Sequence, residues 1–359
     1  MKKFPVIILC LVSVFRVSAQ LQDDSTALSF SSYAEIYYQY DLSNPDNHTA
    51  PSFIYSHNRS KEVNLNLGYI KASYNAKKLR AALSLAAGTY MNANLAAEPG
   101  VLQNIYEANA GIKISSQKNL WIDAGIFASH IGFESAISKD CPTLTRSLLA
   151  ENSPYYEAGI KIGYTSDNGK WFLSALVLNG WQHIQRPDGN HTPAFGTQVT
   201  YKPNNKITIN SSTFIGNDKP DTARRMRYFH DLYAMLQLSE TLSITAAFDA
   251  GMEQQMKGSN KMNMWYSPAL IMKINTSQKT ALAFRGEYYN DKNGVIVPAI
   301  NNAACEVLGF SANFDITINK HATWRIEAKT LNSSNKIFER NDKPVNSNAF
   351  ITTSLAVSF

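Results

Sequence analysis

The sequence predicts an all-β fold, a transmembrane antiparallel β-barrel of about 16 strands with short periplasmic turns and long extracellular loops. Three observations predict it. Apolar and polar residues alternate with period two in segments of about eight to twelve residues. The connections between these segments switch between tight polar turns and long polar loops. A secretory leader is followed by no run of about eighteen apolar residues, so any membrane crossing falls to strands.

At the N-terminus, Lys2 and Lys3 precede an apolar stretch from Phe4 to Phe15, and Val17-Ser18-Ala19 comes before Gln20. This is the layout of a secretory signal cleaved between Ala19 and Gln20. The stretch is too short for a spanning helix. Cys10 follows Leu9 inside the apolar run, so acylation is the weaker reading. The expected division is a signal peptide at 1–19, a short N-terminal segment at 20–30 and a barrel at 31–359.

The formal charge is +6; without Lys2, Lys3 and Arg16 of the leader it is +3. That is too small to point to nucleic acid. Mean hydropathy is −0.24, which suits a barrel because only alternate residues meet lipid. Beyond the leader only Cys141 and Cys305 remain. They form no metal or redox spacing, and a bridge between them stays open.

The strands read in order as "YAEIYYQY" (33–40), 104–114, "YEAGIKIGYTS" (156–166), "LSITAAFDAGM" (242–252), 279–290, "CEVLGFSANFDI" (305–316), 322–331 and "ITTSLAVSF" (351–359), among others. Turn formers cluster at 75–78, 116–119, 166–169, 203–205, 239–241, 275–278 and 318–321. Loops such as 42–60, 131–155, 217–228 and 333–348 lie between them. Seven turns and eight loops make fifteen connections and therefore sixteen strands. Sixteen strands enclose an aqueous channel where eight would be filled by side chains.

The two faces segregate. Leu308, Phe310, Ala312 and Phe314 oppose Gly309, Ser311, Asn313 and Asp315; Leu282 and Phe284 oppose Arg285 and Glu287. Trp324, Ile326 and Ala328 oppose Arg325, Glu327 and Lys329. Tyr106, Ala108, Ala110 and Ile112 oppose Glu107, Asn109 and Lys113. Tyr156, Ala158, Ile160 and Ile162 oppose Glu157 and Lys161, with Tyr156 and Tyr164 suited to aromatic girdles. A lysine or arginine facing mid-membrane lipid costs about 2–4 kcal/mol, so the polar parity is expected to line the lumen. The parity is ambiguous in 171–181 and 262–274, where both faces carry large apolar residues.

No nucleotide-binding, zinc-protease or serine-hydrolase motif occurs. No catalytic, cofactor-binding or metal residue is expected. His130 and Ser135 are near in sequence, but a hydrolase acting on lipid is the least favoured reading. Arg224, Arg225 and Arg227 share one loop, where they suit solvent, lipopolysaccharide phosphates or an anion-attracting mouth.

The stretches "ENSPYYEAGIKIGY" (151–164) and "KWFLSALVLNGWQ" (170–182) resemble the β-barrel porin family of the OmpL-like type. The resemblance covers about 30 residues directly, and the barrel layout extends it over most of the mature chain. It implies an outer-membrane channel in a Gram-negative bacterium, with outer-membrane lipid around it. The final strand ends on Phe359, as bacterial outer-membrane barrels commonly do, which implies insertion by the barrel-assembly machinery. General porins fold their third long loop into the lumen. By that analogy Lys139, Asp140, Arg146 and Glu151, on the loop 131–155, would face Arg285, Glu287, Arg325, Glu327 and Lys329 across a constriction. The alternative is a loop that caps the rim with its charges in solvent. The expected function is passive diffusion of small hydrophilic solutes. The alternative is a non-conducting surface barrel whose long loops bind a partner or ligand. Sixteen-stranded porins commonly form homotrimers.

Overall fold

A computed structural model describes residues 27–341 and 343–359; the expected cleavage pair Ala19 and Gln20 lies outside the described residues. The strands are β1 (Ala27–Asp41), β2 (Val63–Asn75), β3 (Leu79–Ala87), β4 (Ile105–Lys113), β5 (Asn119–Ala128), β6 (Tyr156–Thr165), β7 (Trp171–Leu178) and β8 (Ala194–Asn204). They continue as β9 (Ile207–Gly216), β10 (Arg227–Gln237), β11 (Leu242–Gln254), β12 (Met262–Asn275), β13 (Thr280–Asp291), β14 (Cys305–Asn319) and β15 (Ala322–Ser333). A small hairpin, β16 (Phe338–Arg340) and β17 (Lys343–Val345), decorates the last long loop before β18 (Ser347–Ser358). β1 to β15 and β18 form one closed antiparallel barrel of sixteen strands. It closes where β18 pairs with β1, from Tyr33 opposite Ser358 to Asp41 opposite Phe350. β1 begins at Ala27, ahead of the expected 31.

The outer surface is apolar because every second residue of each strand points to lipid. Leu270, Phe284, Leu308, Phe310 and Ile351 are all exposed there. Tyrosines such as Tyr40, Tyr228 and Tyr266 stand exposed at the long-loop end, and Trp171 stacks on Tyr201 at the short-turn end with ring centroids 4.2 Å apart. Tyr156 is not part of that display. It is buried, and its hydroxyl donates to Glu98 Oε1 at 3.2 Å. Tyr106 also departs from strict alternation. The β3–β4 register shifts between Ser84 and Leu85, leaving Tyr106 unpaired. Its ring stacks on Tyr69, inside the barrel, at 5.5 Å.

Inside, the long-loop half of the barrel holds an apolar core. Phe53 and Ile54 of the first loop, Ile131 and Leu148 of the third, and Ile337 and Phe338 of the last pack on inward residues of the wall. Leu176, Leu178 and Trp265 are among those inward residues. This explains the ambiguous parity of 171–181 and 262–274: one face meets lipid and the other mostly meets packed loops. The wall also fits its contents closely. A Cβ on Gly251 of β11 would lie 2.1 Å from a ring carbon of Trp265 on β12. Cys141 and Cys305 are both free and buried, so the open bridge is not formed.

Candidate functional site

The third long loop, 129–155, folds into the barrel and lies against β13, β14 and β15. Its backbone supplies the attachment. Leu144 N–H donates to Asn313 Oδ1 at 3.0 Å, Thr145 N–H to Glu327 Oε2 at 2.6 Å and Leu148 N–H to Glu287 Oε2 at 2.7 Å. The wall cations answer the loop carbonyls. Arg285 donates to Thr145 O at 2.7 Å, and Lys329 Nζ to Arg146 O at 3.1 Å. Arg325 donates to the carbonyls of Ser138, Cys141, Pro142 and Thr143 while pairing with Asp315 at 2.7 Å. Arg285 pairs with Glu327 at 2.9 Å, and Lys329 with Glu287 at 2.8 Å. Inward parity on three adjacent strands gathers these charges, and their spare donors and acceptors take up the polar backbone of an irregular loop.

The expected charge rings therefore do not face one another across water. Arg285, Glu287, Arg325, Glu327 and Lys329 are all buried, clamped directly to the loop. Arg146 is buried too. It donates to Leu144 O and Ser135 O, each at 2.6 Å, and so ties the loop to itself. Burial lowers its pKa, but nearby groups led by Cys141 outweigh that and raise it overall. Glu151 sits at the end of a short helix, Leu148–Glu151, capped by the Ser147 side chain. It accepts the N–H groups of Tyr55 (2.8 Å) and Ser56 (3.2 Å) and so joins the first loop to the third. Burial is the largest influence on its carboxyl, which is pushed up to about 7. Glu157 is buried beside Ser129 and His130.

The other expected residues lie elsewhere. Asp140 is exposed, and Lys139 is half-buried with its Nζ on Ser358 Oγ. Lys113 stands half-buried at the short-turn end of β4, away from the loop. His130 Nε2 is 2.9 Å from Thr213 O, while Ser135 Oγ donates to Ile137 O at 3.3 Å, so the two do not pair. Arg227 is not a loop cation facing solvent. It is buried on β10 between Trp181 and Trp265, paired with Asp218 at 2.8 Å and Glu253 at 2.7 Å.

Because the loop leans on β13–β15, open volume remains on the opposite wall. A cavity of about 420 Å³ runs along β2 to β7. Lys71 pairs there with Glu107, and Arg80 with Asp123, its Nε 2.6 Å from Oδ1. Lys161 Nζ lies 4.7 Å from the Phe127 ring centroid. A second cavity, about 270 Å³, is rich in tyrosine and shares Lys71, Glu107 and Ala128 with the first. Lys71, Arg80 and Asp123 are not among the residues the sequence pattern marks as candidate pore-lining groups. Their inward parity on β2, β3 and β5 was the available signal.

A closed barrel of sixteen antiparallel strands with its third long loop folded inside defines a porin-type protein. Residues 27–359 match the family described as "Putative beta-barrel porin-2, OmpL-like", and the chain belongs to that family. No curated protein matches the sequence. Solved structures with the same fold include OmpT of Vibrio cholerae in trimer form, at TM-score 0.62 and 9% identity, covering 94% of this chain and 100% of that one. The anion-selective porin from Comamonas acidovorans aligns at TM-score 0.61 and 7% identity, covering 93% and 100%. Salmonella typhi OmpF in complex with daunomycin aligns at TM-score 0.59 and 10% identity, covering 92% and 97%. Similarity at these identities is one of fold.

Proposed function

We propose that the protein is a passive channel for small hydrophilic solutes in the outer membrane of a Gram-negative bacterium, without a chemical step or cofactor. The observation that carries this reading is the charged open space along β2–β7, beside a third loop clamped to the far wall. The route passes Lys71 and Glu107, where the two cavities meet, rather than between rings at Arg285 and Arg146. Paired charges of both signs hold water and admit polar solutes, while the space between loop and wall sets the size limit. Removal of residues 1–19 as a signal, a barrel built by the assembly machinery, lipopolysaccharide at the exposed Arg224 and a homotrimer like the OmpT trimer form belong to the same reading.

The apolar core in the long-loop half favours a second reading, a surface barrel that binds through its loops without conducting. Planar-bilayer recording of the refolded protein separates the two. Discrete conductance steps support the channel. A barrel shown to be folded by heat-modifiable gel mobility, yet silent in the bilayer, overturns it.

A further inference from the structure

We infer that the β2–β7 cavity is a subsite for small monocarboxylates with a flat apolar body, an inference that rests on the channel reading. Three cations and two carboxylates border this space: Lys71, Arg80 and Lys161 against Glu107 and Asp123. Glu107 is taken by Lys71, and Asp123 by Arg80. Among the described residues Lys161 has no ion-pair partner and donates no hydrogen bond to protein. Its ammonium instead lies against the face of Phe127, 4.7 Å from the centroid. A cation held on an aromatic face keeps part of its attraction for an anion.

The surroundings of Lys161 select among anions. Phe127 and Phe172 line the cavity beside it, and Arg80 lies over Trp121 at 4.4 Å. The half-buried Phe172 ring offers a flat apolar group its surface while the carboxylate meets Lys161. One uncompensated positive charge matches a monoanion. A dianion would bring its second charge towards Asp123 and Glu107, whose cations are already engaged. At about 420 Å³ the cavity is of ligand size, within the range of roughly 300–1,000 Å³ for small-molecule sites. The adjoining tyrosine-lined space, with Tyr69 and Tyr106 stacked, offers a flat solute its next contact along the same wall.

The test uses the full barrel in planar bilayers, with benzoate as the probe and benzyl alcohol and acetate as comparators. Benzoate should reduce the potassium chloride current in a saturable way. Benzyl alcohol, which lacks the charge, and acetate, which lacks the ring, should act much more weakly. Lys161→Gln should reduce benzoate sensitivity by about tenfold or more, and Lys161→Arg should restore most of it. Equal block of wild type and Lys161→Gln overturns the subsite, as does equal block by benzyl alcohol. Calorimetric titration of benzoate into the detergent-solubilised barrel gives a readout that does not need conduction. Saturable heat lost in Lys161→Gln supports the subsite even if the bilayer is silent, and heat independent of Lys161 overturns it. A silent bilayer by itself counts only against the channel.

Discussion

Arg325 shows how one inward residue can hold a whole loop. Its planar guanidinium is shared between Asp315 and four third-loop carbonyls, those of Ser138, Cys141, Pro142 and Thr143. Lysine could not cover the same partners, because its donors radiate from a single point. Arg325→Ala leaves those buried carbonyls without their donor and Asp315 with only Asn313 Nδ2 and, at 3.5 Å, Lys273 Nζ. It should cost about 3–5 kcal/mol, read as a lower denaturant midpoint; an unchanged midpoint would mean the loop is held elsewhere. Glu151 makes a pH-dependent join. Its folded value, about 7, stands above the ordinary carboxyl value. The folded state therefore keeps a proton that the unfolded chain releases. The stabilisation is complete below the ordinary value and is lost as pH rises through about 7. The thermal transition should fall over that window in the wild type and stay flat in Glu151→Gln; matching slopes would contradict the assignment.

At the level of elements, the third loop and the wall beneath it determine each other's environment. Replacing 131–153 with a short polar turn should uncover Arg285, Glu287, Arg325, Glu327 and Lys329 to water. Single-channel conductance should rise severalfold, since the occluding segment is gone while the charged wall becomes solvated. A conductance equal to wild type would show that the loop does not limit flow. β11 and β12 supply a packing test. Trp265 lies flat over Gly251 and stacks on Phe229 at 6.0 Å. Gly251→Val should displace the indole, lower stability by about 1–3 kcal/mol and shift tryptophan fluorescence to the red. An unshifted spectrum would argue that the core absorbs the added methyl groups.

The whole molecule obeys one solvent rule on its outside and two on its inside. Outside, lipid demands apolar residues across the hydrocarbon band. Leu270, 56% exposed near the middle of β12, is a fair probe of that demand. Leu270→Arg should destabilise the barrel by about 2–4 kcal/mol in phospholipid vesicles, measured by reversible denaturant unfolding. A cost near zero would place this face out of the hydrocarbon. Inside, the long-loop half is largely packed like a soluble protein core, whereas the short-turn half carries charges and open cavities.

The strand number, the turn positions and the facing of residues such as Phe310 and Arg285 were legible in the sequence, because each depends on local period. A β-strand sends alternate side chains to opposite faces, and a bilayer tolerates few exceptions on one of them. The Tyr106 exception needed a register shift that a single strand does not reveal. Leu176, Leu178 and Trp265 blurred the alternation, and the structure shows why: their inward faces meet loops instead of water. The loops themselves have no period, and their placement depends on contacts between residues far apart in the chain. Arg285 and Lys161 read alike in sequence, both inward cations on alternating strands. Only the tertiary structure separates them, by laying the third loop over Arg285 and leaving Lys161 beside open space, because backbone polar groups drawn into a barrel must find partners and the charges of β13–β15 provide them.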